Sequence, residues 1–231
     1  MHPTLDKKKK LFFYLFLFIL LSTQITRSNK HNLNFGIRIN NIKVFGLSNE
    51  NNFIVTENLN SLLFYNIFFI NKDNFKKILK QNNLIESFDI KKIYPNSIRV
   101  NIKKTDFLAI TTQNNKKFYI GSNGKLIPIK NKLKVNKKLP FVFSKSNYES
   151  FVKLKNIIDK SKFQFEEIDS FYYFPSNRWD FKTKNGLLIK LPEKNILESL
   201  KFAHMIKNDN KFKKNNIIDL RIYNQIIISN E

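Results

Sequence analysis

An unbroken apolar run, Leu11 to Leu21, stands directly behind the lysine block Lys7–Lys10, and no other stretch of the chain is apolar enough to sit in a bilayer. A spanning helix wants about 20 apolar residues, and runs of about 10–14 are commoner as signal-peptide cores. Two features extend this one. Ser22 and Thr23 can bond back to their own helix, and Ile25 resumes the apolarity, so the expected span is Leu11–Thr26, with Lys10 and Arg27 snorkelling at its ends. Thr23-Gln24-Ile25-Thr26 is a poor match to a small-x-small cleavage site, which predicts an uncleaved anchor. The lysines hold residues 1–10 on the cytoplasmic side, and the long remainder is exported whatever its own charge.

The formal charge of +23 invites a nucleic-acid reading. The excess, however, is Lys scattered among Asn, Ile and Phe along the whole chain, with little Arg and little clustering. That pattern points to residue bias and away from a charged groove built for bidentate contacts, so no nucleic-acid partner is expected. Cysteine is absent, which removes disulfides, thiolate nucleophiles and Cys-based metal sites.

Residues 27–36 are polar and unpatterned and read as a linker. Ile37, Ile39, Ile42 and Val44 alternate with one extra residue at Asn40-Asn41, which predicts a strand with a bulge, closed by Gly46. Ser48 or Asn49 starts a short helix through about Leu59. The apolar stretch Leu62–Ile70 is expected to lie buried between helices. A second helix begins with Asn71 as cap and presents Phe75, Ile78 and Leu79, ending near Asn82-Asn83. Phe88, Ile90 and Ile93 predict a strand, Tyr94-Pro95-Asn96 a type I or II turn, and Ile98, Val100 and Ile102 the returning strand.

From Leu108 the punctuation becomes that of a β domain. Ala109–Thr112 pairs with Lys117–Ile120, Gly121–Gly124 turns into Leu126–Ile129, and Leu139-Pro140 opens a short extended piece. Tyr148, Phe151, Leu154 and Ile158 make one helix face. Phe171–Phe174 is an aromatic strand. Trp179, Phe181 and Thr183 face Leu187, Ile189 and Leu191 across Asn185-Gly186, a strong hairpin signal. Ile196, Leu200 and Ala203 mark a last helix; Ile217–Leu220 and Gln225–Ile228 are terminal strands.

Catalytic parts are missing. The three histidines, His2, His31 and His204, lack metal-ligand spacing, and there is no HExxH, GxSxG, SxxK, P-loop or GxGxxG. Glu166-Glu167 and Asp169 read as a solvated face. Trp179 is expected in the core, and Asp180 is expected to order a turn. No enzyme activity, cofactor or metal is expected.

The segment Ile42–Leu47, two helices, then Ile93-Tyr94-Pro95-Asn96-Ser97-Ile98-Arg99-Val100-Asn101-Ile102 resembles a POTRA domain. Gly121–Gly124 with Leu139-Pro140, Arg178-Trp179-Asp180-Phe181 with Asn185-Gly186, Ile189–Glu193 and Ile218-Asp219-Leu220-Arg221 resemble the β domain of the FtsQ/DivIB cell-division family. Of the Glu-Arg-x-Pro-x-Ala segment usual after the POTRA hairpin, only Ala109 is present.

The resemblance implies an α+β protein: a cytoplasmic tail (1–10), an anchor (11–26), a linker (27–36), a β-α-α-β-β POTRA domain (37–105) and a mostly antiparallel β domain with flanking helices (106–231). It implies a single-pass inner-membrane divisome scaffold that binds FtsB and FtsL outside the membrane and through them bears on FtsW and FtsI. The family's partner contact carries over to Arg221, Ile222, Tyr223, Asn224, Gln225, Ile226, Ile227 and Ile228. Physical reasoning favours the same place, because a terminal strand has one free edge and Ile226-Ile227-Ile228 carries no charge to discourage pairing. Arg221 offers a charge for a partner carboxylate and Tyr223 a rigid anchor. The competing readings are a POTRA-bearing transport or assembly factor, which would need a membrane β-barrel that no segment supplies, and a membrane-tethered nucleic-acid binder.

Overall fold

The computed structural model describes residues 7–24, 37–129, 138–144, 148–212, 216–222 and 225–230. It divides into two compact units, Met1–Ile37 and Arg38–Glu231.

In the first unit, α1 (Lys7–Gln24) takes in the lysines as well as the apolar run. Ser22 Oγ donates back to the Ile19 carbonyl at 2.9 Å, as its position suggests. The expected span, Leu11–Thr26, is helical as far as Gln24. The lysines of α1 leave the apolar part, Leu11–Leu21, a rise of only about 16 Å, against a hydrocarbon core of about 30 Å. No helix among the described residues is long and apolar enough to cross a membrane. The far end of the expected span and the expected linker, residues 25–36, lie outside the described residues.

The second unit begins with β1 (Asn41–Phe45), α2 (Asn49–Leu59), α3 (Lys72–Leu79), β2 (Ile85–Ile93) and β3 (Ser97–Lys104), the β-α-α-β-β order expected of a POTRA domain. The sheet order is β1-β3-β2, with β1 parallel and β2 antiparallel to the central strand. Alternation sends Ile42, Val44, Ile98, Val100 and Ile102 inward, where they meet Val55, Leu59, Phe75 and Leu79 of the helices. Asn71 caps α3, accepting from the backbone N–H groups of Asp73 and Asn74 at 3.1 and 3.2 Å. Gly46, at φ +111, has no alternative residue, since a Cβ there would sit 1.8 Å from the Ile102 carbonyl oxygen.

Three expectations change. The first strand is shorter than read: it starts at Asn41, and Arg38 makes only an isolated bridge to Asn66. The Leu62–Ile70 stretch is not buried as a whole. Leu62, Ile67 and Ile70 point inward, while Phe64, Tyr65, Phe68 and Phe69 are exposed, because no single periodicity can face all of them to one core. The Tyr94–Pro95 peptide is cis.

The larger sheet runs β12-β11-β10-β9-β8-β7-β4-β5-β6. Its strands are β4 (Phe107–Gln113), β5 (Lys116–Gly121), β6 (Leu126–Pro128), β7 (Phe141–Phe143), β8 (Ile168–Phe174), β9 (Arg178–Thr183), β10 (Leu188–Lys190), β11 (Ile217–Asp219) and β12 (Ile227–Ser229). Asn114 and Asn115, both at positive φ, make the tight β4–β5 turn. One face of this sheet is covered by α4 (Tyr148–Asp159) and α5 (Ile196–Asn208). Phe151, Leu154 and Ile158 of α4 and Leu200 and Ala203 of α5 pack on Val142, Phe171, Phe181, Ile189 and Ile218. Each of these side chains other than Ala203 contributes about 1.5–3 kcal/mol on burial. Trp179 is in this core, 3% exposed, with Nε1 donating to Ser150 Oγ at 2.8 Å. The last strand is shorter than expected, with Gln225 and Ile226 leading into it and not part of it.

Candidate functional site

The C-terminal strand β12 lies at one end of the larger sheet and is hydrogen-bonded on one side only, to β11, with Asp219 opposite Ile227, Ile218 opposite Ile228 and Ile217 opposite Ser229. Among the described residues no strand covers its outer edge, so its outward N–H and C=O groups form an open row. Ile228 is on the helix-covered face and is half-buried. Ile227, on the other face, is 47% exposed, and Ile226 and Ile222 are exposed beside it. Gln225 is also exposed; Tyr223 and Asn224 lie outside the described residues.

Arg221 makes its hydrogen bonds within the chain and stays partly exposed. Its Nε donates to both carboxylate oxygens of Asp219, at 2.8 and 2.9 Å, its Nη2 donates to Oδ2, and its backbone N–H donates to Oδ1 at 3.1 Å. The guanidinium is therefore already engaged within the chain, which pins the turn leaving β11. Burial pushes the Asp219 carboxyl up, but hydrogen bonds from Arg221 and its charge more than offset this and hold it below its ordinary value. The same hydrogen bonds raise Arg221 further.

Asp219 belongs to a row that crosses the sheet on the face away from the helices. Asp180 of β9, Lys190 of β10, Asp219 and Ile227 are in register, and Lys190 stands between the two carboxylates. Asp180 is 4% exposed, and burial pushes its carboxyl up against the opposing pull of Arg178, the Leu191 backbone and Arg221. Arg178 Nε is 3.5 Å from Asp180 Oδ1, an ion pair too long to be a hydrogen bond, and both atoms are buried without a hydrogen-bond partner. The Arg178 guanidinium also lies 4.7 Å over the Phe174 ring. Asp180 is thus part of a buried charge row, where the sequence suggested a turn.

On the other side of the edge, an open groove of about 1350 Å³ separates α5 from the segment after β11. Phe202 and Met205 of α5 line one wall, 50% and 57% exposed, and Leu220, Ile222 and Ile226 line the other. The sequence marks Ile196, Leu200 and Ala203 as the buried face of α5, and Phe202 and Met205 are not among the site residues expected from it. Their three-residue spacing on the opposite face was the available signal. Lys162, Lys194, Glu198 and Lys201 also line the groove, and a free strand edge beside such a mixed apolar and charged groove can seat an extended segment on the edge and a side chain or helix in the groove.

Among the described residues no group of three or more His, Asp and Glu side chains is placed to hold a metal. His204 packs edge-on against Phe163, and Glu167 pairs with Lys207 at 2.7 Å. His2 and His31 lie outside the described residues.

A family model described as cell division protein FtsQ/DivIB, C-terminal, matches residues 109–221, and one described as POTRA domain, FtsQ-type, matches residues 37–104. The chain is 28% identical over 195 residues to a cell division protein FtsQ of Rickettsia bellii, covering 84% of this chain and 72% of that one. It is 25% identical over 200 residues to a cell division protein FtsQ of Rickettsia conorii, with the same coverage. Another of that description, from Rhizobium radiobacter, is 24% identical over 161 residues, covering 68% of this chain and 75% of the relative. Among solved structures, the major extracytoplasmic domain of the cell division protein DivIB from Geobacillus stearothermophilus matches at a TM-score of 0.33 and 10% identity, over 46% of this chain and 92% of that one. At that TM-score the likeness adds nothing to the strand orders described above.

Proposed function

Because this chain belongs to the FtsQ/DivIB family of cell-division proteins, we propose that it is a non-enzymatic, single-pass scaffold of the divisome that docks FtsB and FtsL on its C-terminal sheet edge. The observation that carries this reading is β12: a terminal strand with one open hydrogen-bonding side, flanked by the exposed Ile222, Ile226 and Ile227 and by the α5 groove. An extended partner segment adds a strand there, its backbone giving affinity and its alternate side chains giving specificity. Arg221, Ile222 and residues 223–228 form the contact, and the Arg221–Asp219 fork fixes where the segment leaves β11.

The remaining organisation follows from the same membership. Residues 1–10 are cytoplasmic, residues 11–26 anchor the chain in the inner membrane, residues 27–36 link, residues 37–105 are the POTRA domain and residues 106–231 the β domain, both periplasmic. The short apolar run is accommodated by snorkelling lysines and local bilayer thinning. Docked FtsB and FtsL connect the scaffold to FtsW and FtsI and so to septal peptidoglycan synthesis.

The test is co-purification of the full chain with FtsB and FtsL, repeated with Ile227→Lys. A lysine on an exposed edge position discourages strand addition while leaving a surface side chain the fold tolerates. Retention of the partners by the wild type and their loss from the folded variant supports the reading. A folded wild type that retains neither partner overturns it.

A further inference from the structure

One end of the POTRA domain has a surface that the docking edge does not use. Three segments meet there. The Ile39 N–H donates to the Tyr65 carbonyl and the Phe64 N–H to the Ile39 carbonyl, both at 2.9 Å, and the Asn40 N–H donates to the Asn96 carbonyl at 2.9 Å. The entering chain, the 64–69 loop and the β2–β3 turn are thereby tied together. Their aromatic side chains point out: Tyr65 is 53% exposed, Phe68 55%, Phe69 82% and Tyr94 57%, with Phe68 and Tyr94 stacked at 5.4 Å. Phe64 holds φ 69, a conformation that a bulky residue seldom adopts, and the two hydrogen bonds to Ile39 hold the loop in this shape.

Beside this tip, on the sheet face away from the helices, stands a row of cations. Lys43 of β1, Arg99 of β3 and Lys91 of β2 are directly opposite one another across all three strands, and all are exposed. Like charges in that position destabilise a sheet in water. The Phe45 ring, 5.6 Å from the Arg99 guanidinium, offsets part of this. Lys92 Nζ adds a further cation, donating to the Phe68 carbonyl at 3.1 Å. The one acidic strand position on that face, Asp89, is a row further from the turn.

Rings at a tip with cations just behind them match the bilayer interface, where aromatic side chains occupy the headgroup level and Lys and Arg meet lipid phosphate. We propose that this end of the POTRA domain rests on an anionic membrane surface, with Phe68, Phe69, Tyr65 and Tyr94 in the interface and Lys43, Lys91 and Arg99 over the phosphates. The proposal rests on the reading of residues 11–26 as an anchor.

The chain has no native cysteine, so single probes are available. The full chain carrying Phe69→Cys, Asn185→Cys or Phe16→Cys, each labelled with an environment-sensitive fluorophore, is reconstituted in vesicles of phosphatidylcholine with or without phosphatidylglycerol. The expected result is shielding of the Phe69 probe from aqueous iodide and quenching by shallow lipid-borne nitroxide, in anionic vesicles only, with the Asn185 probe remaining in water. Lys43→Gln and Lys91→Gln each lower the docked-to-free ratio about fivefold. A Phe69 probe as water-accessible as the Asn185 probe, with the Phe16 probe in the bilayer, overturns the interfacial proposal and leaves the anchor standing. A water-exposed Phe16 probe overturns the anchor reading and the proposal with it. Shielding of Phe69 that follows the protein-to-lipid ratio and ignores lipid charge overturns the proposal in favour of a second copy of this chain.

Discussion

Asp180 and Asp219 flank the same residue, Lys190, from its two neighbouring strands, yet their carboxyl groups are displaced in opposite directions. Both are buried. The difference is the balance of burial and cation: Asp180 lies deeper, and Arg178 at 3.5 Å, the Leu191 backbone and Arg221 offset only part of its burial, whereas the Arg221 fork more than offsets that of Asp219.

The two should therefore contribute oppositely to the pH dependence of stability. Asp219 is lowered in the fold, so its contribution is complete above its unfolded value of about 3.9 and is lost as pH falls through the folded value. Asp180 is raised, so the folded state holds its proton more tightly, and stability from this group falls as pH rises from the unfolded value through the folded one. Asp219→Asn should flatten the loss of stability on acidification and cost about 1–2 kcal/mol at neutral pH, discounted for the partial exposure of Arg221. Asp180→Asn should steepen the acid loss. Urea unfolding midpoints between pH 3 and 7 distinguish the two; equal slopes in both variants would contradict the assignment.

Trp179 supplies the reporter for such measurements, as the single tryptophan of the chain. It is held between Phe151 and Tyr173, with ring centroids 5.9 and 4.8 Å away. Trp179→Ala should cost about 3–5 kcal/mol through the cavity it leaves. Trp179→Phe keeps most of the packing and loses the bond to Ser150, for about 1 kcal/mol. Native emission should be blue-shifted and should move red in one transition with denaturant.

The docking groove makes a separate prediction. Phe202→Ala and Met205→Ala remove exposed side chains and should shift stability by no more than about 0.5 kcal/mol. If the partner fills the groove, each should weaken FtsB and FtsL binding about tenfold or more, the range of an interface anchor. Titration calorimetry on the purified full chain reads both outcomes, and unchanged affinity in both variants would confine docking to the β12 edge.

How much of this was legible beforehand depended on periodicity. The α4 face was clear because Tyr148, Phe151, Leu154 and Ile158 step at helical spacing, and the β9–β10 hairpin because Asn185-Gly186 favours the tight turn. The loop bearing Phe68 and Phe69 was misread because hydrophobicity alone does not say which apolar residue faces the core, and in this loop exposed and buried ones alternate without a period. Parallel pairings such as β10 with β11 bring together segments separated by a whole helix, which no local pattern announces. The Asp219–Arg221 motif was visible only as a family likeness. Its physical role, a fork that closes on itself, needed the turn geometry.

The Gly121–Gly124 turn was also read as a family signature, and the structure gives it a mechanical role. Asn123 Nδ2 donates to the carbonyls of Asn83 and Ile85, both at 3.0 Å, while Ser122 Oγ donates to Glu86 Oε2 at 2.7 Å and Thr105 Oγ1 to the same oxygen at 3.1 Å. Asn83 returns a bond to the Leu126 carbonyl at 2.8 Å. The turn of the larger sheet is thus pegged to the start of β2 in the smaller one, and Thr105, 2% exposed, is enclosed at the join. Asn123→Ala leaves two carbonyls without their donor and should cost about 1–3 kcal/mol. The loss should be local before it is global: trypsin should cut faster after Lys103 and Lys104, while Trp179 emission stays native. Gln113→Ala, on an exposed position of the β4–β5 hairpin, should leave the cutting rate unchanged. If Asn123→Ala instead loses Trp179 packing at the same denaturant concentration at which the 103–104 bonds open, the two sheets unfold as one cooperative body and the peg is not a separable joint.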